Sequence, residues 1–234
     1  MRSTVLTIFF FFHYAGMPAQ TATGAGVVRP TQIIISDVQG RPVNRTPPSD
    51  INGSPYFDEA YKYADILLSK TRKFTSVKMR LDLELQEVHF ISNAGEEVVL
   101  PAGMVKEVSY ADTTADGIIF YKFRTGYPAF EGKTADHFYM VLADGNCHLL
   151  RSIEKKVTER KNDISGEVFK DYETYENFYL LVKGEMKRLK KDKDFILGEL
   201  ADKRTQVEKF AQANKINFRN IDQLAKLINY YNTL

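Results

Sequence analysis

The sequence predicts a mainly β protein, α+β overall, in which an antiparallel β-meander closes as a barrel or folds as a sandwich before a short C-terminal helical segment. Apolar and polar residues alternate from Val77 to Leu85, which is the period of a half-buried strand. A twelve-residue pattern with glycine at its seventh place recurs three times, as in a series of hairpins. After residue 190 the apolar spacing becomes helical.

The N-terminus has the pattern of a secretory signal peptide. Arg2 supplies a positive start, an apolar run with four consecutive Phe residues follows, and small residues precede Ala19. The run is shorter than the roughly 20 apolar residues of a membrane-spanning helix. We therefore expect cleavage between Ala19 and Gln20, and a chain exported to the periplasm or the outer cell surface with no transmembrane segment left.

Four regions are expected along the chain. Residues 1–19 form the signal peptide, and the small, polar residues 20–30 form a flexible lead-in. Residues 31–189 form the antiparallel β domain, and residues 190–234 form the C-terminal helical segment. Within the β domain, residues 31–44 are expected to form a strand, a turn and a second short strand.

Composition limits the classes of function. Loss of Arg2 leaves 31 basic against 30 acidic residues, and a net charge of +1 gives no general attraction to nucleic acid or anionic membrane. The single cysteine, Cys147, excludes an intrachain disulfide, so an exported chain must rely on its core. The sequence contains 16 Phe and 13 Tyr, which supply such a core at this length.

The recurring pattern predicts three β-hairpins. Each copy has an apolar run, a glycine that tolerates positive φ at the turn, and a final Leu. The copies span residues 89–100, 139–150 and 178–189, with Gly95, Gly145 and Gly184 at the turns. Residues 105–111 and 117–123 read as further strands between them.

The C-terminal segment predicts three short helices. In the last of them, apolar residues recur at i, i+3, i+4, i+7 and i+10 on one face. We expect Asn220 to cap this helix, Asp202 to cap the middle helix, and Asn214 to end the middle helix in the left-handed conformation. The apolar positions are Ile221, Leu224, Ala225, Ile228 and Tyr231.

No reaction motif appears, which weakens the case for an enzyme without closing it. Cys147 and His148 are neighbours on a predicted strand and point to opposite faces, so they form no dyad with each other. The mature chain's other histidines, His89 and His137, are far apart in sequence, without metal-ligand spacing. We therefore expect no metal and no cofactor. A hydrolase with carboxylates from separate strands stays an alternative.

Two aromatic loops are candidates for recognition. The stretch GSPYF ends in Tyr56 and Phe57, and the long loop over 124–137 contains Tyr127 and Phe130. Long loops in compact domains often carry function. The simpler interpretation is that such rings tuck into the edge of the sheet and hold the loops down.

Two basic runs, at 151–161 and 183–193, allow two interpretations. They are either a patch for an acidic polymer or anionic lipid, or a solvated strand face and a helix start. Acidic residues interrupt both runs, which favours the solvated face.

The export signal ending in AQ, the stretches GSPYF and FYLLVKGEMKRLKK, and the closing IDQLAKLINYYN resemble a group of exported β-rich proteins of Gram-negative bacteria with no assigned activity. The resemblance implies a periplasmic or outer-surface protein. In some such bacteria, exported proteins carry O-glycans at sites like Asp-Thr-Thr. This makes Thr113, within the sequence Asp112-Thr113-Thr114, a candidate glycosylation site.

Together these observations predict an exported cell-envelope protein with a binding or interaction role. Its expected partner is an envelope protein or a small ligand. The alternatives are a hydrolase on a β scaffold and a barrel that binds a lipid or another apolar ligand, which would show a continuous inner cavity.

Overall fold

The structure, a computed structural model, describes residues 51–69, 72–115, 117–164 and 166–234. The predicted signal peptide with its cleavage site at Ala19 and Gln20, the lead-in, and the strands predicted over 31–44 lie outside the described residues.

Eleven strands and three α-helices make up the described part of the chain, and the strands precede the helices. The strands are β1 (Ile51–Asn52), β2 (Lys62–Ser69), β3 (Arg72–Asp82), β4 (Glu87–Ile91), β5 (Glu97–Pro101), β6 (Glu107–Thr114), β7 (Gly117–Arg124), β8 (Tyr139–Ala143), β9 (Cys147–Lys161), β10 (Val168–Val182) and β11 (Glu185–Arg188). The helices are α1 (Lys193–Glu199), α2 (Arg204–Ala213) and α3 (Ile221–Thr233).

All eleven strands belong to one large sheet. Its order is β1-β10-β9-β8-β7-β6-β2-β3-β4-β5, and β11 pairs with the end of β10. Neighbouring strands are antiparallel, except that β1 runs parallel to β10. The sheet does not close on itself, so the predicted barrel is not supported, and a single sheet replaces the two layers of a sandwich. The path is not a simple meander either, because β6 returns to pair with β2.

The three predicted hairpins are confirmed. Antiparallel pairs join β4 to β5, β8 to β9, and β10 to β11 across the expected turns. Gly95 and Gly184 have φ of 84° and 80°, in the left-handed region that side chains with a Cβ rarely adopt. These glycines therefore allow the chain to reverse within a few residues.

The strand predicted to run as far as Leu85 ends earlier, at Asp82. The Asp82 carboxylate accepts hydrogen bonds from the backbone N–H groups of Glu84 and Leu85, both at 2.8 Å. This local capping turns the chain back into β4. As a result Leu83 is still buried, whereas Leu85 is 45% exposed in the turn.

The largest core lies on one face of the sheet, which we call the inner face. It is filled by side chains from β2 to β9, because the apolar positions of these strands share that face. Lys155 on β9 donates its backbone N–H to the carbonyl oxygen of Leu83 at 3.2 Å, so β9 touches the β3–β4 turn. The core comprises Ala64, Ile66, Leu68, Met79, Leu81, Leu83, Val88, Leu100, Val105, Val108, Tyr110, Phe123, Phe138, Met140 and Ile153.

The helices cover the inner face of β8, β9 and β10. Strand residues such as Leu149 and Leu180 share a core there with Leu197, Leu227 and Ile228 from the helices. The helical segment therefore packs against the sheet. No helix in the described ranges is long and apolar enough to cross a membrane.

Of the three predictions about helix ends, one is confirmed and two are wrong. Asn220 caps α3 as expected, since its Oδ1 accepts the N–H of Gln223 at 3.0 Å. Asp202 does not cap α2, because its carboxylate instead accepts the hydroxyl of Tyr231 at 3.0 Å. Asn214 has φ of −97°, and the left-handed residue is Lys215.

Candidate interaction surface

Strands β6 and β7 form a hairpin whose tip extends beyond the pairing of these strands with β2 and β8. They pair with each other along their whole length, up to Thr114 opposite Gly117. On its other side, β6 pairs with β2 only between Glu107 and Ser109. The last residues of the hairpin therefore extend past the ladder that ties it to the rest of the sheet.

Large apolar side chains on this hairpin and on β2 are exposed. Phe120 is 81% exposed, Tyr63 is 67% exposed and Ile118 is 62% exposed. Ile119, on the opposite face of the hairpin, is 42% exposed. We call Tyr63, Ile118 and Phe120 the hairpin surface. Contiguous exposed apolar side chains typically mark a site of contact with another molecule.

A cleft of about 390 Å³ lies beside Phe120, where β2 and the hairpin separate. Tyr110 and Tyr121, which also line the cleft, are directly paired in the β6–β7 ladder and stack their rings on the inner face, with centroids 5.1 Å apart and planes at 25°. Burial raises the pKa of the Tyr110 hydroxyl, so the ring stays neutral. The cleft is lined by Tyr63, Asp65, Ser76, Ser109, Tyr110, Ala111, Phe120, Tyr121 and Lys122.

Ion pairs neutralise the charged side chains around this cleft. Lys73 lies 2.8 Å from Asp65, and this hydrogen bond lowers the pKa of the Asp65 carboxyl. Lys62 Nζ lies 2.9 Å from a carboxylate oxygen of Asp112. Lys122 Nζ lies 3.1 Å from a carboxylate oxygen of Asp144, in the turn between β8 and β9. Paired charges attract a charged partner only weakly. The contact chemistry offered here is therefore apolar and aromatic.

The candidate glycosylation residue lies at this end of the molecule. Thr113 is exposed on β6 and is paired with Ile118 in the β6–β7 ladder. Directly paired residues of antiparallel strands share a face of the sheet. A glycan on Thr113 would thus lie beside the hairpin surface, and its presence stays a prediction.

The four predicted recognition residues occupy two separate places. Tyr56 is buried, its ring lies 3.8 Å from the Arg80 guanidinium carbon, and Phe57 packs against the inner-face core. Tyr127 is buried against Tyr139, with ring centroids 5.4 Å apart, while Phe130 is half-buried against Tyr179 at 5.9 Å. Each ring packs against the protein, and a recognition role for them stays a prediction.

A polar network explains how Tyr56 is held. One oxygen of Glu97 accepts from the Tyr61 hydroxyl at 2.7 Å, from Arg80 Nη2 at 2.7 Å, and lies 3.0 Å from His89 Nδ1. The ring of Tyr56 covers Arg80 and meets His89 edge-on at 5.4 Å. The GSPYF stretch is tied down by cation–π and hydrogen-bond contacts in addition to apolar packing.

A second recess forms where the loop after β7 meets the β3–β4 turn and β9. Two clefts of about 300 and 420 Å³ share His137, Gln86 and Glu154 in their linings. His137 Nε2 lies 2.8 Å from Ser152 Oγ, and burial lowers the pKa of His137 to about 4. Ser152 is fully buried, so its hydroxyl anchors the imidazole and is not available to a substrate.

Among the described residues, neither a reactive thiol nor a metal site is found. Cys147 is fully buried, and burial raises the pKa of its thiol to about 12, which removes its nucleophilic thiolate. Within the described ranges, no group of three or more His, Cys, Asp or Glu residues could hold a metal ion. Comparison with models of known families, with curated proteins and with solved structures finds no match for this chain.

Sequence reasoning did not single out the hairpin surface. The run from Gly117 to Phe123 predicted a strand, and the structure confirms it as part of β7. The missed signal is that Ile118, Ile119 and Phe120 are consecutive, which places apolar side chains on both faces of one strand. Such a run ordinarily predicts burial on both sides, and only the structure shows that both are exposed.

Proposed function

We propose that this chain is an exported cell-envelope protein that binds a partner protein through the hairpin surface. The observation that carries the proposal is the 81% exposure of Phe120 beside the cleft that Tyr63 also lines. Burying a large apolar side chain contributes about 1.5–3 kcal/mol, so the two rings of the hairpin surface and Ile118 are suitable anchors for a specific complex.

Three features support an apolar protein partner. The hairpin extends past its pairing with β2, which makes it accessible to another molecule. The neighbouring charges are already paired, so they add little attraction for a charged ligand. Aromatic residues are enriched at the centres of protein interfaces, because they bury a large area at a small loss of side-chain entropy.

Export to the periplasm or the outer surface is part of this proposal. It rests on the signal-peptide pattern that ends at Ala19. In that setting a partner in the cell envelope is the natural occupant of an apolar surface. The N-terminal sequence of the mature protein tests this part alone, and Gln20 is the expected first residue.

The two alternatives have less support. The open sheet provides no closed barrel for an apolar ligand, and side chains fill the inner face. Among the described residues that line the cleft, Asp65 is the one carboxylate, and Lys73 and the Ser76 backbone engage it. A hydrolase with two facing carboxylates stays an alternative prediction.

The test is site-specific photo-cross-linking in the cells that make the protein. Phe120 is replaced by the photoreactive residue p-benzoylphenylalanine, which keeps an aromatic ring at this position. The matched control carries the same residue at Lys209, which is exposed on α2. We expect one discrete adduct from position 120 and none from position 209.

Two further results decide the interpretation. Replacement of Ile118 by Ser in the cross-linking variant should reduce the adduct at least tenfold, because apolar contact drives the association. Equal adducts from positions 120 and 209, or no adduct from either, would overturn the proposal. An adduct of twice the chain mass would identify a second copy as the occupant and overturn the assignment to a different partner.

A further inference from the structure

Strand β7 has an open edge near the tip of the hairpin. On the side away from β6, β8 pairs only with Phe123 and Arg124. No strand among the described residues pairs with this edge from residue 117 to residue 122, although β6 pairs with the opposite edge as far as Gly117. This part of β7 therefore presents backbone N–H and C=O groups to which another strand could bind.

The alternation of hydrogen bonds identifies which backbone groups face outward. Just beyond β7, Thr125 donates its backbone N–H to the carbonyl oxygen of Lys106, on the side of β6, at 3.0 Å. In an antiparallel ladder, every second residue of a strand bonds to the same neighbour. The odd-numbered residues of β7 therefore bond to β6, and the backbone groups of Ile118 and Phe120 point into the open edge.

Apolar side chains lie on both faces of this edge. Ile118 and Phe120, on one face, are 62% and 81% exposed, and Ile119, on the same face as the core residue Phe123, is 42% exposed. An apolar run on both faces is typical of a strand that is covered on both. A partner that rested on one face would leave Ile119 exposed. A strand added to the edge carries side chains on both faces and covers all three residues.

The residues of this edge do not block strand pairing. Exposed edge strands commonly carry charged residues or proline, which prevent unwanted pairing. Residues 117–121, with the sequence Gly-Ile-Ile-Phe-Tyr, contain neither. By contrast, β5 at one end of the sheet begins with Glu97 and ends with Pro101, which has no N–H to donate. The β7 edge is therefore suited to accept another strand.

We propose that an extended, uncharged segment of the partner protein adds as a strand to the β7 edge at the tip of the hairpin. Its backbone pairs with Ile118 and Phe120, and its apolar side chains cover both faces of the edge. Lys122, the first charged residue along the edge, is already paired with Asp144 at 3.1 Å, so an uncharged segment is the complementary one. This inference rests on the proposed function, because it describes how the hairpin surface holds its partner.

The short length of the open edge favours a separate partner over a second copy of the chain. Because β8 pairs with β7 from Phe123 onward, two copies would pair over about five residues each, roughly 17 Å of strand. Stable interfaces use about 20–30 residues on each side. In a second copy, the chain on either side of the open edge is held in β6 and β8, so the pairing could not lengthen. A partner's segment can continue past the tip towards Tyr63 and the cleft of about 390 Å³.

Cross-linking from both faces of the edge tests this mode of binding. In the cells that make the protein, p-benzoylphenylalanine replaces Ile119 in one variant and Phe120 in another, and Lys209 is again the control position. We expect positions 119 and 120 to give adducts with the same partner, identified by mass spectrometry. A partner docked on one face would give an adduct from position 120 and none from position 119.

Proline at position 118 tests the backbone pairing. Ile118→Pro removes the N–H that points into the open edge and leaves the hydrogen bonds between β6 and β7 in place. Ile118→Val is the matched control, because it keeps this N–H with a side chain of similar size. In the variant that cross-links from position 120, Ile118→Pro should reduce the adduct at least tenfold and Ile118→Val less than twofold. Both should unfold within a few degrees of each other, and if Ile118→Pro unfolds the hairpin, the comparison of positions 119 and 120 decides.

The possible results separate this inference from the proposed function. An adduct from position 120 that is absent from position 119, or that a folded Ile118→Pro variant forms undiminished, would overturn strand addition and leave the proposed function intact. No adduct from either position would overturn both. An adduct of twice the chain mass would identify a second copy and overturn the assignment to a segment of the partner.

Discussion

Apolar strand residues are buried in one region of the sheet and exposed in another. On β8, β9 and β10, the inner-face residues Leu149 and Leu180 are fully buried beneath α1, α2 and α3. At the outer end of the β6–β7 hairpin, Ile118 and Phe120 are more than half exposed. Both regions have strand residues of high apolar character, so local sequence does not distinguish them. The difference is whether another element of the chain covers the strand.

This comparison teaches that burial follows cover by another element. Besides the hairpin surface, Val168, Phe169 and Tyr175 on β10 are also exposed, at 55%, 43% and 41%. We expect the largest loss of stability when a buried side chain beneath the helices is truncated. Leu180→Ala should lower the free energy of unfolding by about 2–5 kcal/mol, because it leaves a cavity between β10 and the helices.

Urea unfolding of the two variants Leu180→Ala and Phe120→Ser measures the contrast directly. Phe120→Ser should change the unfolding free energy by less than about 0.5 kcal/mol, since an exposed side chain loses little packing. A large loss of stability in Phe120→Ser would show that the ring contributes to the core. The hairpin surface would then lose its interpretation as a binding site.

The next largest effect concerns His137 and pH. The folded protein lowers the pKa of this imidazole from 6.5 to about 4, because burial disfavours its charged form. The unfolded chain therefore binds a proton more readily, and the contribution is fully present above pH 6.5 and is lost as pH falls towards about 4. The shift corresponds to about 3 kcal/mol.

The measurement is the free energy of unfolding between pH 4 and pH 7 for the natural chain and for His137→Gln. Gln keeps a polar group near Ser152 but does not titrate. The charged groups that influence the imidazole, Glu154 and Lys133, are present in both proteins. A slope that is equal in both proteins would contradict the assignment to His137.

A smaller effect is expected at the junction of α3 with the sheet. Asn232 accepts the N–H of Cys147 at 2.8 Å through Oδ1, and donates to the carbonyl oxygen of Cys147 at 2.8 Å through Nδ2. Asn232→Ala leaves both partly buried backbone groups without these partners. Loss of such hydrogen bonds costs about 1–3 kcal/mol.

Thermal unfolding with Gln212→Ala as the control checks this prediction, because Gln212 is exposed on α2. The control should unfold within a degree or two of the natural chain. Gly145→Ala should resemble Asn232→Ala, since its new Cβ would lie 2.6 Å from Asn232 Cγ and its φ is 151°. Identical unfolding of all three variants would show that the junction contributes nothing.

The sequence by itself determined the local elements of this protein. Alternation of apolar residues predicted β3, the glycines at 95, 145 and 184 predicted three hairpins, and helical spacing with Asn220 predicted α3. These features depend on residues close together in the chain. Backbone conformation, turn chemistry and helix capping therefore specify them without knowledge of distant partners.

Only the tertiary structure decided the features that depend on distant pairing. The sequence could not specify that β6 returns to β2 or that the sheet stays open. Nor could it reveal that Ile118 and Phe120 are exposed, because a two-sided apolar run predicts burial equally well. Exposure and strand order follow from which elements meet in space, and alternation within one strand contains no information about its neighbours.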